Sequence, residues 1–225
     1  MSHAQRPAAI LFDLDGTLVD SAPDLLAALD HVRAGHGLPA CDHQALREQV
    51  SRGAAGLLEA GLPALDSSVL EAARRQLLDY YADHYWQHSH LFEGVEALLD
   101  ELRQRGIVLG VVTNKIARFA EPVLQASGLA EYFGCLIAGD QVSRPKPDPE
   151  PVLAACKQLG ALSESTWFVG DDERDVIAGR AAGVTTVVAG WGYLPSGADP
   201  LQWGADAWTD SPQALLARID SGEPG

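Results

Sequence analysis

The sequence predicts an α/β fold, a doubly wound parallel sheet carrying a small helical domain inserted after its first strand. Two observations predict it. Short continuous apolar runs bounded by turn residues alternate with stretches of helical spacing, the pattern of strands buried on both faces and joined by helices. One long segment, from about residue 21 to 90, breaks the alternation and shows helical spacing alone.

In chain order the apolar runs place strands at Ala8–Phe12, Ile107–Val112, Leu136–Ala138, Thr166–Val169 and Thr185–Ala189. Helical patterns fall between and after them, over 94–105, 116–127, 149–159, 173–182 and 211–219. A sheet of this kind sets its chemistry outside the carboxyl ends of its strands. In the inserted segment Leu25, Leu26, Leu29 and Val32 form one apolar stripe, and Leu70, Ala73, Leu77, Tyr80 and Tyr81 form another. The segment is too long for a crossover helix. A core over 1–20 and 91–225 and a helical cap over 21–90 are therefore expected, with the cap above the carboxyl edge, where it could cover a site. No internal repeat or low-complexity tract is visible.

With 225 residues, 47% of them hydrophobic, the chain can build a real core. Its net charge of -15 would repel a phosphate backbone, and no Lys/Arg-rich run offers a nucleic-acid groove or an anionic-membrane patch. Cys41, Cys135 and Cys156 are far apart and lack CxxC spacing, which reads as reduced thiols rather than a disulfide framework or a zinc site. The start, Met1 to Pro7, is polar, and Asp13 and Asp15 break the apolar run that follows, so a signal-peptide core is not expected. No stretch approaches the ~20 apolar residues that span a bilayer. The expectation is a cytoplasmic protein with neither nucleic acid nor membrane as partner; no feature specifies an oligomeric state.

The chemistry-bearing residues sit at strand ends. Ile10-Leu11-Phe12-Asp13-Leu14-Asp15-Gly16-Thr17 closes the first strand with two carboxylates at period two, able to face the same side. Two such acids repel, and a bound hard cation with oxygen ligands, Mg²⁺ above all, relieves the repulsion and draws in a phosphate. A turn with a capping aspartate is the plainer reading of that segment alone. Thr113-Asn114 ends another strand with hydroxyl and amide donors suited to a phosphoryl oxygen, although both are also ordinary turn residues. Lys146, one of only three lysines, is flanked by Pro145 and Pro147, which restrict its backbone beside the clustered acids. Trp167-Phe168-Val169-Gly170-Asp171 ends a further buried strand on a carboxylate, and Asp175 lies one helical turn beyond. Some of this acidity is helix-dipole compensation. In the inserted segment, Val50-Ser51-Arg52-Gly53-Ala54-Ala55-Gly56 offers small residues and an arginine able to fork onto a substrate carboxylate; an interhelical loop with a solvated arginine is the alternative.

Four such signals in one order resemble the haloacid dehalogenase superfamily of phosphohydrolases, whose motifs match at Asp13/Asp15, Thr113, Lys146 and Asp171/Asp175. The match spans nearly the whole chain. A helical cap after the first strand of a Rossmann-like core resembles the phosphoglycolate phosphatase-like branch. The resemblance implies a phosphoric monoester hydrolase in which Asp13 attacks phosphorus, Asp15 acts as acid and then base, and Thr113, Asn114 and Lys146 hold phosphoryl oxygens. It implies Mg²⁺ on Asp13, Asp171 and the backbone carbonyl of Asp15; from the residues themselves, Asp175 is placed to orient the site and Arg52 is the candidate for substrate in the cap. A carboxylate attacks a dianion only where cation and lysine neutralise the repulsion, so these roles are physically consistent.

The dehalogenases of the superfamily lack the second aspartate, so Asp15 argues for phosphoryl transfer. Phosphonate-cleaving relatives use a cap lysine, and residues 21–90 contain none. A sugar-phosphate mutase of the same fold and a non-catalytic phosphate-binding regulator are the alternatives to a phosphatase of small-molecule esters. Val111-Val112-Thr113-Asn114-Lys115, Arg118-Phe119-Ala120-Glu121-Pro122, Lys146-Pro147-Asp148-Pro149-Glu150-Pro151, Gly192-Tyr193 and Trp203-Gly204-Ala205-Asp206 further resemble proteobacterial N-acetylmuramic acid 6-phosphate phosphatases. Ile116 departs from the proline expected there. That substrate and 2-phosphoglycolate both carry a carboxylate besides the phosphate.

Overall fold

The structure is a computed structural model that describes residues 6–63, 66–195, 197 and 199–221. The expectation for the chain start falls largely outside those residues. The chain divides into two compact units, one carried by Met1–Val19 with Leu91–Gly225 and the other by Asp20–His90.

The first unit is built on a six-stranded sheet. Its strands are β1 (Ala9–Phe12), β4 (Val108–Val112), β5 (Cys135–Ile137), β6 (Thr166–Gly170), β7 (Thr185–Ala189) and β8 (Ala207–Thr209), in spatial order β5-β4-β1-β6-β7-β8. Every neighbouring pair is parallel. The numbers β2 (Val19–Asp20) and β3 (His90–Leu91) belong to a separate two-stranded sheet. Ala9, Ile10, Leu11 and Phe12 are all fully buried, as a central parallel strand covered on both faces requires.

Helices α7 (Glu150–Leu159) and α8 (Glu173–Ala182) pack on one face of this sheet. There Leu11, Val112 and Phe168 meet Val152, Ala155, Cys156 and Ala178 in one apolar cluster. Helix α5 (Val95–Gln104) packs on β4 and on α9 (Pro212–Ser221), while α6 (Ala117–Ala126) links β4 to β5. Cys135 and Cys156 are buried free thiols, and burial pushes Cys135 up to about 11. No helix of the described residues is long and apolar enough to cross a membrane.

Several strand bounds shift by one residue from the sequence expectation, and β2, β3 and β8 are additional to it. Strand β8 was not expected, because Ala-Trp-Thr is too short to show a period. It is secured by a contact at its entry, where the Asp206 carboxylate accepts from Thr186 N at 2.7 Å and from Thr186 Oγ1 at 2.8 Å. The expected strand Leu136–Ala138 sits one residue earlier, at Cys135–Ile137.

The second unit consists of α1 (Ala22–Gly35), α2 (His43–Leu46), a 3-10 segment (Arg47–Arg52), α3 (Gly53–Gly61) and α4 (Ser67–His84). Helices α1, α3 and α4 pack together, with Leu29, Leu57, Leu58 and Leu77 fully or almost fully buried. Leu70, expected on the apolar stripe of α4, is instead exposed. Buried Asp24 holds the segment after α4: its carboxylate accepts from Gln87 N, His88 N and Ser89 N at 2.9–3.1 Å and from Ser89 Oγ at 2.6 Å. Asp24→Ala strands these donors, the one at buried Ser89 foremost. It is expected to lower unfolding stability by about 2–3 kcal/mol in urea titrations, and Asp24→Asn by less.

Candidate active site

The chain runs from β1 to β4 and β5, then returns to β6 on the other side of β1. Strand order therefore reverses between β1 and β6, and the carboxyl ends at such a switch point are where sheets of this kind bind their ligands. Asp13 follows β1 and stays in register, its N–H donating to Val169 O at 2.9 Å. Asp171 follows β6, and Thr113 follows β4 with its N–H on Ile137 O at 3.0 Å. The aspartates expected at strand ends are thus brought together by adjacent strands.

Lys146 comes from the segment between β5 and α7, and its side chain is 3% exposed. Its ammonium donates to Val112 O at 2.9 Å and pairs with Asp13 Oδ1 at 2.9 Å and Asp175 Oδ1 at 2.7 Å. Burial alone would pull this lysine down, but the charges of Asp13 and Asp175 outweigh it and hold Lys146 above its ordinary value. Its main chain is clamped by the Asn114 side chain, which accepts from Lys146 N at 2.9 Å and donates to Lys146 O at 2.8 Å. The Asn114 amide, expected on a phosphoryl oxygen, is therefore occupied in fixing the lysine.

Asp13 Oδ1 also accepts from Leu14 N at 2.7 Å. Asp171 is 1% exposed; its carboxylate accepts from Thr17 Oγ1 at 2.9 Å and from Tyr193 N at 2.8 Å. Two glycines make room for it. Gly16 has a φ of 87°, in the left-handed region, and a Cβ there would overlap the Asp171 carboxylate. A Cβ on Gly192 would overlap Asp171 and the carbonyl of Gly16. Asp175, the fourth acid of the run, caps α8: its Oδ2 accepts from Asp172 N at 3.1 Å, while Asp172 accepts from Arg174 N at 2.9 Å.

Carboxylate oxygens of Asp13, Asp171 and Asp175 all lie within 4.8 Å of one another. Burial, reinforced by Asp13 and Asp175, pushes Asp171 well above the usual carboxylate range. Burial likewise lifts Asp175 to about 7, with Lys146 opposing. Hard oxygen donors in such a mutually repelling group fit a small divalent cation. The expected ligands were the Asp13 and Asp171 carboxylates and the backbone carbonyl of Asp15, a set that leaves the Asp15 side chain free for another role. In the structure Asp175 completes the carboxylate group, whereas the Asp15 carboxylate lies on Lys115 Nζ, 3.0 Å from each oxygen.

Arg52 belongs to the second unit, where its guanidinium contacts Glu59 Oε2 at 2.6 Å and Gln49 Oε1 at 3.0 Å. The sequence reading missed four contributors: Thr17 and the main chain of Tyr193 on Asp171, Gly192 beneath them, and Lys115 on Asp15. The adjacency of Thr17 and Lys115 to the aspartate and threonine motifs, and the place of Gly192-Tyr193 in the family resemblance, were the hints to them.

The family profile described as haloacid dehalogenase-like hydrolase matches residues 10–189. N-acetylmuramic acid 6-phosphate phosphatase of Pseudomonas aeruginosa is 44% identical over 216 residues, covering 96% of each chain. Phosphoglycolate phosphatase of Xanthomonas campestris is 41% identical over 209 residues, covering 93% of this chain and 95% of that protein. A crystal structure described as a predicted phosphoglycolate phosphatase from Haemophilus somnus superposes with a TM-score of 0.86 at 28% identity, covering 95% of this chain and 98% of that one. With its sheet, its motif aspartates and its near full-length relatives in agreement, the chain belongs to the haloacid dehalogenase-like hydrolase family, as a phosphoric monoester hydrolase of the phosphatase branch.

Proposed function

We propose that this enzyme is a Mg²⁺-dependent, cytoplasmic phosphatase of small carboxylate-bearing phosphate esters, working through a phosphorylated Asp13. The observation that carries the reading is Asp13 itself, at the switch point of the sheet, with Oδ1 held by Leu14 N–H and the buried Lys146 ammonium. That grip leaves Oδ2 as the attacking atom. Asp13, Asp171 and the carbonyl of residue 15 would hold the cation, with Asp175 beside them. Bound there, it would neutralise carboxylate charge and polarise the phosphoryl group.

The chain's own residues do the rest. Lys146 offsets the charge of Asp13 and of the incoming phosphoryl oxygens, and Thr113 Oγ1 offers a hydrogen bond to one of them. Asn114 acts through Lys146, whose backbone it clamps. Asp15 gives a proton to the bridging ester oxygen as Asp13 attacks, then takes one from the water that hydrolyses the aspartyl phosphate. Arg52 is the proposed contact for the substrate carboxylate. Its present partner Glu59 is exposed, and such a pair is weak enough to be exchanged.

The relatives' names supply the leading substrates, N-acetylmuramic acid 6-phosphate and 2-phosphoglycolate. Phosphate release from both, and from glucose 6-phosphate, should be measured side by side with Mg²⁺. One carboxylate-bearing ester is expected to exceed glucose 6-phosphate in kcat/KM by about tenfold or more, the worth of one charge-assisted hydrogen bond. Comparable slow turnover of all three would overturn the substrate assignment. Isomerisation without phosphate release would overturn the hydrolysis itself.

A further inference from the structure

The exit of β4, Thr113-Asn114-Lys115, sends successive side chains to three tasks. Thr113 takes the proposed phosphoryl contact, and Asn114 fixes Lys146. Lys115 grips Asp15, with its ammonium 3.0 Å from each carboxylate oxygen. This last contact has no part in the mechanism above. Both side chains are largely shielded, at 8% exposure for Lys115 and 17% for Asp15, so the pair is not an ordinary surface salt bridge. The lysine is itself anchored at both ends of its main chain: its N–H donates to Thr113 Oγ1 at 3.2 Å, and its carbonyl accepts from Gly139 N at 3.0 Å. A two-oxygen grip from an anchored residue fixes the place of a carboxylate and the direction in which it points. A single hydrogen bond would leave it free to swing.

We infer that Lys115 is the positioning residue for Asp15, setting the angle and distance at which its carboxyl group meets the bridging oxygen of the ester. The inference rests on the proposed role of Asp15 as acid and base. In the first half-reaction the Asp15 O–H proton passes to the bridging oxygen as its bond to phosphorus breaks and the bond from Asp13 forms. In the second, water gives a proton to Asp15 as its oxygen bonds to phosphorus and the Asp13–phosphorus bond breaks. Lys115 gives and takes no proton in either.

Positioning of an acid matters only where the leaving group needs a proton. An alkyl ester departs as an alkoxide unless protonated, whereas p-nitrophenolate leaves without help. The test is therefore the rate of enzyme phosphorylation, by rapid quench, on p-nitrophenyl phosphate and on whichever of the three esters above turns over fastest. Lys115→Met keeps the length and removes the ammonium; Lys115→Gln is the second neutral variant should the first fold poorly. Each is expected to slow phosphorylation by the alkyl ester by about 100-fold and by the aryl ester by less than about threefold, with Lys115→Arg recovering most of the loss. Equal slowing on both esters, or no recovery with arginine, would overturn the inference. Asp15→Asn separates the two levels. If it discriminates between the esters and Lys115→Met does not, the inference alone falls. If Asp15→Asn does not discriminate, the acid role of Asp15 falls and the inference with it.

Discussion

Lys146→Met is expected to lower kcat/KM by about 10³-fold and to destabilise the fold by about 3 kcal/mol at neutral pH. Methionine preserves length and apolar packing, so what is lost is one charge and its donors. Asp13 and Asp175 lose a buried ammonium at 2.9 and 2.7 Å, and Val112 O loses its side-chain donor. The deficit should depend on pH. Lys146, held above its ordinary value, stays charged across pH 5–9 in the wild type, so any change in that range comes from the carboxylates. With the lysine gone, Asp175, already lifted to about 7 against the opposing charge of Lys146, is relieved of repulsion by taking up a proton, which acid favours. Urea unfolding should therefore show a larger deficit at pH 8 than at pH 5. Equal deficits would assign the loss to packing. Lys146→Arg should not rescue activity, since a side chain at 3% exposure leaves no space for a guanidinium.

Asp171→Asn is expected to act in opposite directions on activity and stability. Turnover should fall by about 10³-fold or more with the loss of a proposed cation ligand. The protein without its cation should nevertheless melt about 2–4 °C higher, as for about 1 kcal/mol gained. The asparagine keeps both contacts, accepting from Tyr193 N–H and donating to Thr17 Oγ1, whose hydroxyl can turn to accept. What it removes is a buried charge that burial, Asp13 and Asp175 all disfavour.

The sign of the pH effect follows from the same shifts. A carboxyl group raised in the folded state keeps a proton that the unfolded chain releases above 3.8, so its stabilising effect is present in acid and fades as pH rises through the folded value. Asp175, lifted to about 7, adds to the same trend. If Mg²⁺ is held as proposed, it would bind the charged forms, so its thermal stabilisation of the wild type should be larger at pH 8 than at pH 6, and nearly absent in Asp171→Asn. A variant melting below the wild type in the absence of Mg²⁺ would contradict this electrostatic account.

Local pattern made much of this legible. Asp13, Thr113 and Asp171 each end an unbroken apolar run, and a parallel sheet gathers such ends at one edge, so their meeting is readable before any contact is known. Contacts between distant residues were not readable. Thr17 reaches Asp171 across 154 positions and Lys115 reaches Asp15 across 100, and neither pairing leaves a periodic trace. Asn114 shows a subtler limit: its residue type suits a phosphoryl oxygen, but only the fold reveals that its amide lies on the Lys146 backbone. Strand β8 escaped because three residues cannot display alternation, and its anchor at Asp206 lies outside the strand.

In the proposed mechanism phosphorus is carried covalently on Asp13. It is tested most directly by quenching the enzyme in acid during turnover with Mg²⁺ and reducing it with borohydride, which converts an aspartyl phosphate into homoserine. Peptide mass spectrometry is expected to find homoserine at position 13 in the wild type and not in Asp13→Asn, which should release no phosphate. Steady phosphate release with position 13 unmodified, or an Asp13→Asn enzyme as fast as the wild type, would contradict it.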